Sequence, residues 1–191
     1  MLKFKYATIN CVYKQENDLG TTSKMDICQN LEDYFSANPV SFFKLLAEKN
    51  DWEVVGEASD TVVFYAEGIW RQYLYCFHWT ESDQQLRITC EYDLKLPKNR
   101  SNSLYRTLNL ANEKCGEGFF TYCDEQKVII FHSRFKGSDA LEISALRSKD
   151  IILSITNIMD DLYPVFQLIS WGKENPDMAM KLAGTHASGF I

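Results

Sequence analysis

Residues 67–97 read EGIWRQYLYCFHWTESDQQLRITCEYDLKLP, and the fold follows from taking this stretch as one long antiparallel hairpin. From Leu86 to Lys95 the chain alternates without a break. Leu86, Ile88, Cys90, Tyr92 and Leu94 fall on one face, and Arg87, Thr89, Glu91, Asp93 and Lys95 on the other. A period of two marks a half-buried strand. The preceding arm, 69–79, is apolar on both sides, with Trp70, Leu74 and Cys76 on one and Tyr73, Tyr75, Phe77 and Trp79 on the other, so it reads as a central strand. Between the arms, Thr80–Gln84 carries no apolar residue and suits a short link. Pro97 ends the second arm, because it has no N–H for the ladder.

Working outward, Asn38 followed by Pro39 is an N-cap with proline at the first helical position, so a helix starts there and runs to about Lys49, with Phe42 or Phe43, Leu46 and Ala47 turned inward. Two short β-rich runs, 52–57 and 61–66, then lead through Glu67-Gly68 into the hairpin. After Pro97, Leu104, Leu108, Ala111 and Cys115 recur at helical spacing, and Gly116 and Gly118 stop that helix. Residues 119–123 and 127–135 form a second hairpin around Asp124-Glu125-Gln126. A third helix carries Ile151, Ile155, Ile158 and Leu162, with Pro164 as its expected stop, and a short last helix opens at Asn175-Pro176-Asp177 and runs to about Leu182. The order is α-β-β-β-β-α-β-β-α-α. Short links between consecutive strands make this an α+β fold, an antiparallel sheet of five to six strands with helices packed on it.

With 191 residues the chain can bury a sizeable core without metal or disulfide staples. Its net charge of −6 and pI near 5.1 argue against a general nucleic-acid binder, which needs a basic face to release counterions. Six cysteines occur without any C-x-x-C pair, which suits small buried hydrophobes in a reducing compartment, although Cys76 and Cys90 are placed to approach across the hairpin. No signal-peptide core or membrane-length apolar run is apparent, and a cytoplasmic protein is expected.

Catalytic constellations are sparse. His78 and His132 sit among strand aromatics and His186 in a Gly/Ser/Ala tail, none with metal-ligand spacing. Glu91 and Asp93 share a strand face as an acid/base pair would, but Arg87, Thr89 and Lys95 share it too, which is the pattern of a solvated face. Asp160 and Asp161 are adjacent on a helix and point about 100° apart. Gly116-Glu117-Gly118 precedes a strand rather than a helix and so cradles no phosphate. Lys95, Lys98, Arg100 and Arg106 form a modest basic cluster, read as a soluble helix face ahead of an anion contact. The surplus feature is aromatic. Tyr65, Tyr73, Tyr75, Phe77 and Trp79 are expected to line one sheet face, which marks a protein-binding surface if the helices leave it open and a core if they cover it.

Four separated motifs carry a family likeness: Glu67-Gly68-x-Trp70-x-x-Tyr73-x-x-x-Phe77-x-Trp79; Leu86-x-x-x-Cys90-x-x-Asp93-Leu94-x-x-Pro97; Leu108-x-x-Ala111-Asn112-Glu113; and Tyr163-Pro164-x-Phe166-Gln167 with Trp171-Gly172 ahead of Pro176. Over residues 38–183 the chain resembles the YbjN family of "putative sensory transduction regulators" of bacteria. The resemblance implies a fold similar to type III secretion chaperones and a cytoplasmic, often dimeric, protein-binding regulator with no enzymatic residues to carry over. Where that family tends to show Gly-His-Phe-Asp, this chain has Gly118-Phe119-Phe120-Thr121. Residues 1–37 are then an N-terminal arm, either a further strand or loosely attached, and 184–191 a C-terminal tail. The expected function is a non-enzymatic regulatory or chaperone-like module that binds a protein partner, a homodimer being one form of this. No cofactor, metal, nucleic acid or membrane is expected. The alternatives are a secretion chaperone dedicated to one client, and a small-molecule sensor or enzyme built around His78, His132 and the Glu91/Asp93 pair.

Overall fold

The hairpin forms as the alternation requires, with β3 (Gln72–Thr80) and β4 (Gln85–Asp93) joined by a single 3-10 turn, Glu81–Asp83, and closed by Gln84 at φ 45°. A computed structural model describes residues 38–186 apart from 117, 142, 144 and 173, so the arm expected over 1–37 lies outside the described residues. Around the hairpin, in chain order, stand α1 (Val40–Lys49), β1 (Val54–Glu57), β2 (Thr61–Glu67), α2 (Ser101–Asn112), β5 (Phe119–Cys123), β6 (Val128–Lys136), α3 (Ser138–Leu141), α4 (Ala145–Trp171) and α5 (Pro176–His186). The six strands make one antiparallel sheet in the order β1-β2-β3-β4-β6-β5. Because α2 intervenes after β4, β5 takes the edge and β6 returns beside β4.

Both Asn-Pro helix starts work as the sequence suggests. The Asn38 side chain accepts from Val40 N at 3.0 Å, and the Asn175 side chain accepts from Met178 N at 2.9 Å, each satisfying an amide with no partner inside its helix. α2 ends at Asn112, short of the glycines, and the Asn112 side chain ties that end to β5 by accepting from Phe120 N at 2.6 Å and donating to Phe120 O at 3.2 Å. α5 runs on to His186, so the first residues of the expected tail are helical.

The core lies between one sheet face and the helices. Tyr73, Tyr75 and Phe77 are fully buried and Trp79 nearly so, aligned by register with Val62, Phe64, Ala66, Leu86, Ile88 and Cys90. Phe43 of α1 stacks on Phe77 at 3.9 Å, and the Tyr75 hydroxyl meets Thr156 of α4 at 2.7 Å. Thus α1 and α4 cover the ring-bearing face, and the reading of that face as an open binding surface is corrected to core. Tyr65 pairs with Leu74 and so sits half-buried on the opposite face. Cys76 and Cys90 also lie on opposite faces, paired with Thr89 and Tyr75 respectively, so they do not meet across the hairpin.

The cover is complete because α4 is longer than expected. It runs 27 residues, roughly 40 Å, straight through Pro164. A proline inside a helix lacks the N–H that should bond the carbonyl four residues back, here that of Asp160, and normally costs about 3 kcal/mol or more. In this chain the abandoned carbonyl has another donor: the Trp70 indole N–H reaches Asp160 O at 3.0 Å from the β2–β3 turn. The helix therefore continues where the sequence alone suggests a stop.

This pairing predicts a coupling. Trp70→Phe should lower stability in urea unfolding by about 1–2 kcal/mol through the unsatisfied carbonyl. In a Pro164→Ala background, where residue 164 regains its own N–H, the same change should cost about 1 kcal/mol less. Equal costs in both backgrounds would show that the indole does not serve the proline gap.

Candidate functional site

The β2–β3 turn, Glu67-Gly68-Ile69-Trp70-Arg71, is held down by a buried carboxylate. Asp160, only 5% exposed, accepts from Ile69 N at 2.9 Å and the Tyr73 hydroxyl at 2.6 Å, with a longer contact to Trp70 N at 3.5 Å. A buried carboxylate is costly unless its lone pairs are filled, and here backbone and phenol donors fill them. Burial and the bond to Asp160 push the Tyr73 phenol well above its ordinary range, so it remains a donor. Gly68 is dictated by crowding: a Cβ there would stand 2.3 Å from the Tyr73 ring and 2.8 Å from the Asp160 carboxylate. Its N–H bonds Arg71 O at 2.8 Å and closes the turn.

What the clamp displays is apolar. Ile69 is 80% exposed and Trp70 56%, with the Trp70 ring stacked on Tyr163 of α4 at 6.2 Å. Tyr163 in turn packs against Tyr92 at 5.2 Å, over which the Arg71 guanidinium lies at 5.5 Å. Trp171, the last residue of α4, is 80% exposed. Exposed carboxylates of Glu67 and Asp161 flank the turn. Sequence reading missed Asp160, and the signal was present: a charged residue inside the Ile155, Met159, Leu162 stripe, four positions before a proline.

The other candidates are placed as follows. His78 and His132 each bond a threonine hydroxyl, Thr61 at 2.9 Å and Thr121 at 2.8 Å, and stand on the sheet face away from α4. The side chain of His186 lies outside the described residues. Burial, then the nearby Arg134, holds His132 below the usual imidazole range. Arg100 is absorbed into structure, its guanidinium capping the end of α4 through Ile169 O at 3.1 Å, Gly172 O and Glu174 O. Arg106 pairs with Asp177 at 2.9 Å, joining α2 to α5. Among the described residues no group of three or more His, Cys, Asp or Glu side chains is placed to hold a metal, and no helix is long and apolar enough to cross a membrane.

A family model matches residues 43–167, a span that includes the clamped turn, Asp160 and Pro164. The chain belongs to the YbjN family. Its description is "Putative bacterial sensory transduction regulator". Among solved structures, this YbjN chain is similar to "YbjN, a putative transcription regulator from E. coli", at 7% identity over 65% of this chain and 90% of that one, with a TM-score of 0.44. No curated protein matches the chain.

Glu91 gives this YbjN protein a pH dependence. It is half-buried between Leu74 and Ile130 across the sheet, and burial, with the Asp93 charge behind it, pushes it up to about 7. A carboxyl raised above its unfolded value binds a proton more tightly when folded. Its contribution is therefore fully present below about pH 4.5 and is lost as pH rises through about 7. Glu91→Gln should raise unfolding free energy by about 1–3 kcal/mol at about pH 8 and leave it nearly unchanged at about pH 5. A pH-independent effect would place the Glu91 carboxyl in water.

Proposed function

We propose that the protein is a non-enzymatic regulatory module that docks another polypeptide on the clamped β2–β3 turn and the adjoining flank of α4. The observation carrying this reading is Ile69, left 80% exposed on a turn whose backbone is fixed by a buried carboxylate. Exposed aliphatic and aromatic groups on a rigid support lose little conformational entropy on contact, and such anchors carry most of the binding energy in protein interfaces. Trp171, equally exposed, extends the apolar area along α4. The flanking Glu67 and Asp161 favour a partner segment that is apolar with basic neighbours. Membership of a family of sensory regulators agrees with a role exerted through contact rather than chemistry.

The test places a photo-crosslinking residue at position 69, with a control at exposed Asp51. Crosslinks from 69 should concentrate on one polypeptide, and a second copy of this chain would be one such result. The Ile69→Ser, Trp171→Ser double variant should bind that purified polypeptide at least about tenfold more weakly, as expected for loss of two anchors. Its melting temperature should be unchanged, since both side chains are in water. Equal binding by wild type and variant would remove this surface from the interface.

A further inference from the structure

The alternation that sends Tyr73, Tyr75, Phe77 and Trp79 into the core sends the intervening strand residues to the other face of the sheet. The buried apolar residues of α1 to α5 all join the one core on the ring-bearing side. Val63 of β2 and Val128 of β6 stand on the second face, outside that core, and are buried as well.

Register sorts the charges of this second face by position along the strands. At one end His78, Arg87 and Arg134 stand side by side in one cross-strand row, with Lys136 in the row beyond. At the other end stand Glu67 and Asp93, with Glu91 one row inward. Val63, Cys76, Leu74 and Ile130 lie between the two ends. Like charges directly opposite destabilise a sheet, so Arg87 against Arg134 is relieved only by an anionic neighbour. Asp60, Glu81 and Asp83 lie in the turns at that end, but among the described residues none of them forms an ion pair with either arginine.

The chain itself carries the complement. Residues 1–37 lead into Asn38, whose side chain donates to Ser59 O at 2.7 Å in the β1–β2 turn, and that turn adjoins Thr61 in the row of the arginines. The chain therefore meets the sheet at its cationic end. The adjoining stretch, 15–37, carries Glu16, Asp18, Asp26, Glu32 and Asp33 against one lysine, whereas 1–14 carries Lys3, Lys5 and Lys14 and no carboxylate. Residues 1–14 reach about 46 Å when extended, more than the roughly 27 Å between Thr80 and Gln72 along β3.

We propose that residues 1–37 fold back over this second face, with 15–37 against Arg87, Arg134 and Lys136 and 1–14 across the apolar strip toward Glu67 and Asp93. The opposite direction would set like charges against each other, so the polarity of the face selects one orientation of the segment. The face is then an internal docking site and not a surface for a second protein. It uses neither Ile69 nor Trp171 and stands whether or not the clamped turn docks a partner.

The test uses the full chain with a photo-crosslinking residue in place of Thr80 at the cationic end or of Gln72 at the acidic end, and a control in place of exposed Leu153 on α4. Isotopically heavy and light protein are mixed in equal amounts, so that crosslinks within one chain and between chains differ in mass. Within-chain crosslinks from 80 to residues 15–37 and from 72 to residues 1–14 are expected. Each should exceed the control at least about tenfold, because a docked segment stays in reach while a free tether visits every face. Arg87→Glu with Arg134→Glu should cut the crosslinks from 80 by roughly threefold to tenfold, and adding Glu32→Lys with Asp33→Lys should restore them. Damage to the sheet alone would not be repaired by changes at 32 and 33. Mixed-mass crosslinks would give the face to a second copy and overturn the proposal. Yields equal to the control, or yields that ignore the charge reversal, would overturn it too.

Discussion

One residue, Asp160, ties the two layers of this protein together by side chain and backbone at once. Its carboxylate accepts donors from the β2–β3 turn and from Tyr73, and its carbonyl, released by Pro164, accepts the Trp70 indole. The contacts span 87–91 positions of sequence. They fix where α4 crosses the sheet, which decides that the Tyr73, Tyr75 and Phe77 rings are core. A charge buried this deeply adds little net stability over a well-packed apolar group, but leaving it half-satisfied would be severely destabilising. Its physical effect is therefore to admit one register of helix on sheet.

The same constraint explains what the sequence could and could not reveal. Alternation in Leu86–Lys95, the Asn-Pro helix starts and the short strand links are local signals, and they yield the α+β order and the antiparallel hairpins. The fate of an arm apolar on both faces is not local. Which face of β3 is covered depends on the length of α4; that length depends on Pro164, and tolerance of Pro164 depends on a tryptophan about ninety residues earlier. From sequence alone the ring face therefore reads equally as a binding surface and as core, because the number of helices does not say which sheet face they cover. Asp160 was visible as a charge in an apolar stripe, but its donors are mostly main-chain amides, which no side-chain pattern displays. Arg100 was misassigned to a helix face for a similar reason: it spends its donors on backbone carbonyls at the end of α4.

The surface the fold leaves available is modest and divided. At one end of the sheet a rigid turn shows Ile69 and Trp70 to solvent; at the other, Arg87 and Arg134 stand side by side on the face away from α4. His78 and His132 are each satisfied by a threonine hydroxyl, and Arg100 and Arg106 of the basic cluster are spent on contacts within the fold.

The central claim is that an exposed turn is immobilised by a buried carboxylate, and amide hydrogen exchange at Ile69 tests it without altering the molecule. The side chain of Ile69 is in water, but its N–H points at Asp160. Exchange should therefore require the same opening free energy as the central amides of β3 and β4. If the Ile69 amide exchanges at the rate of an ordinary surface turn while β3 stays protected, the clamp does not hold the fold together.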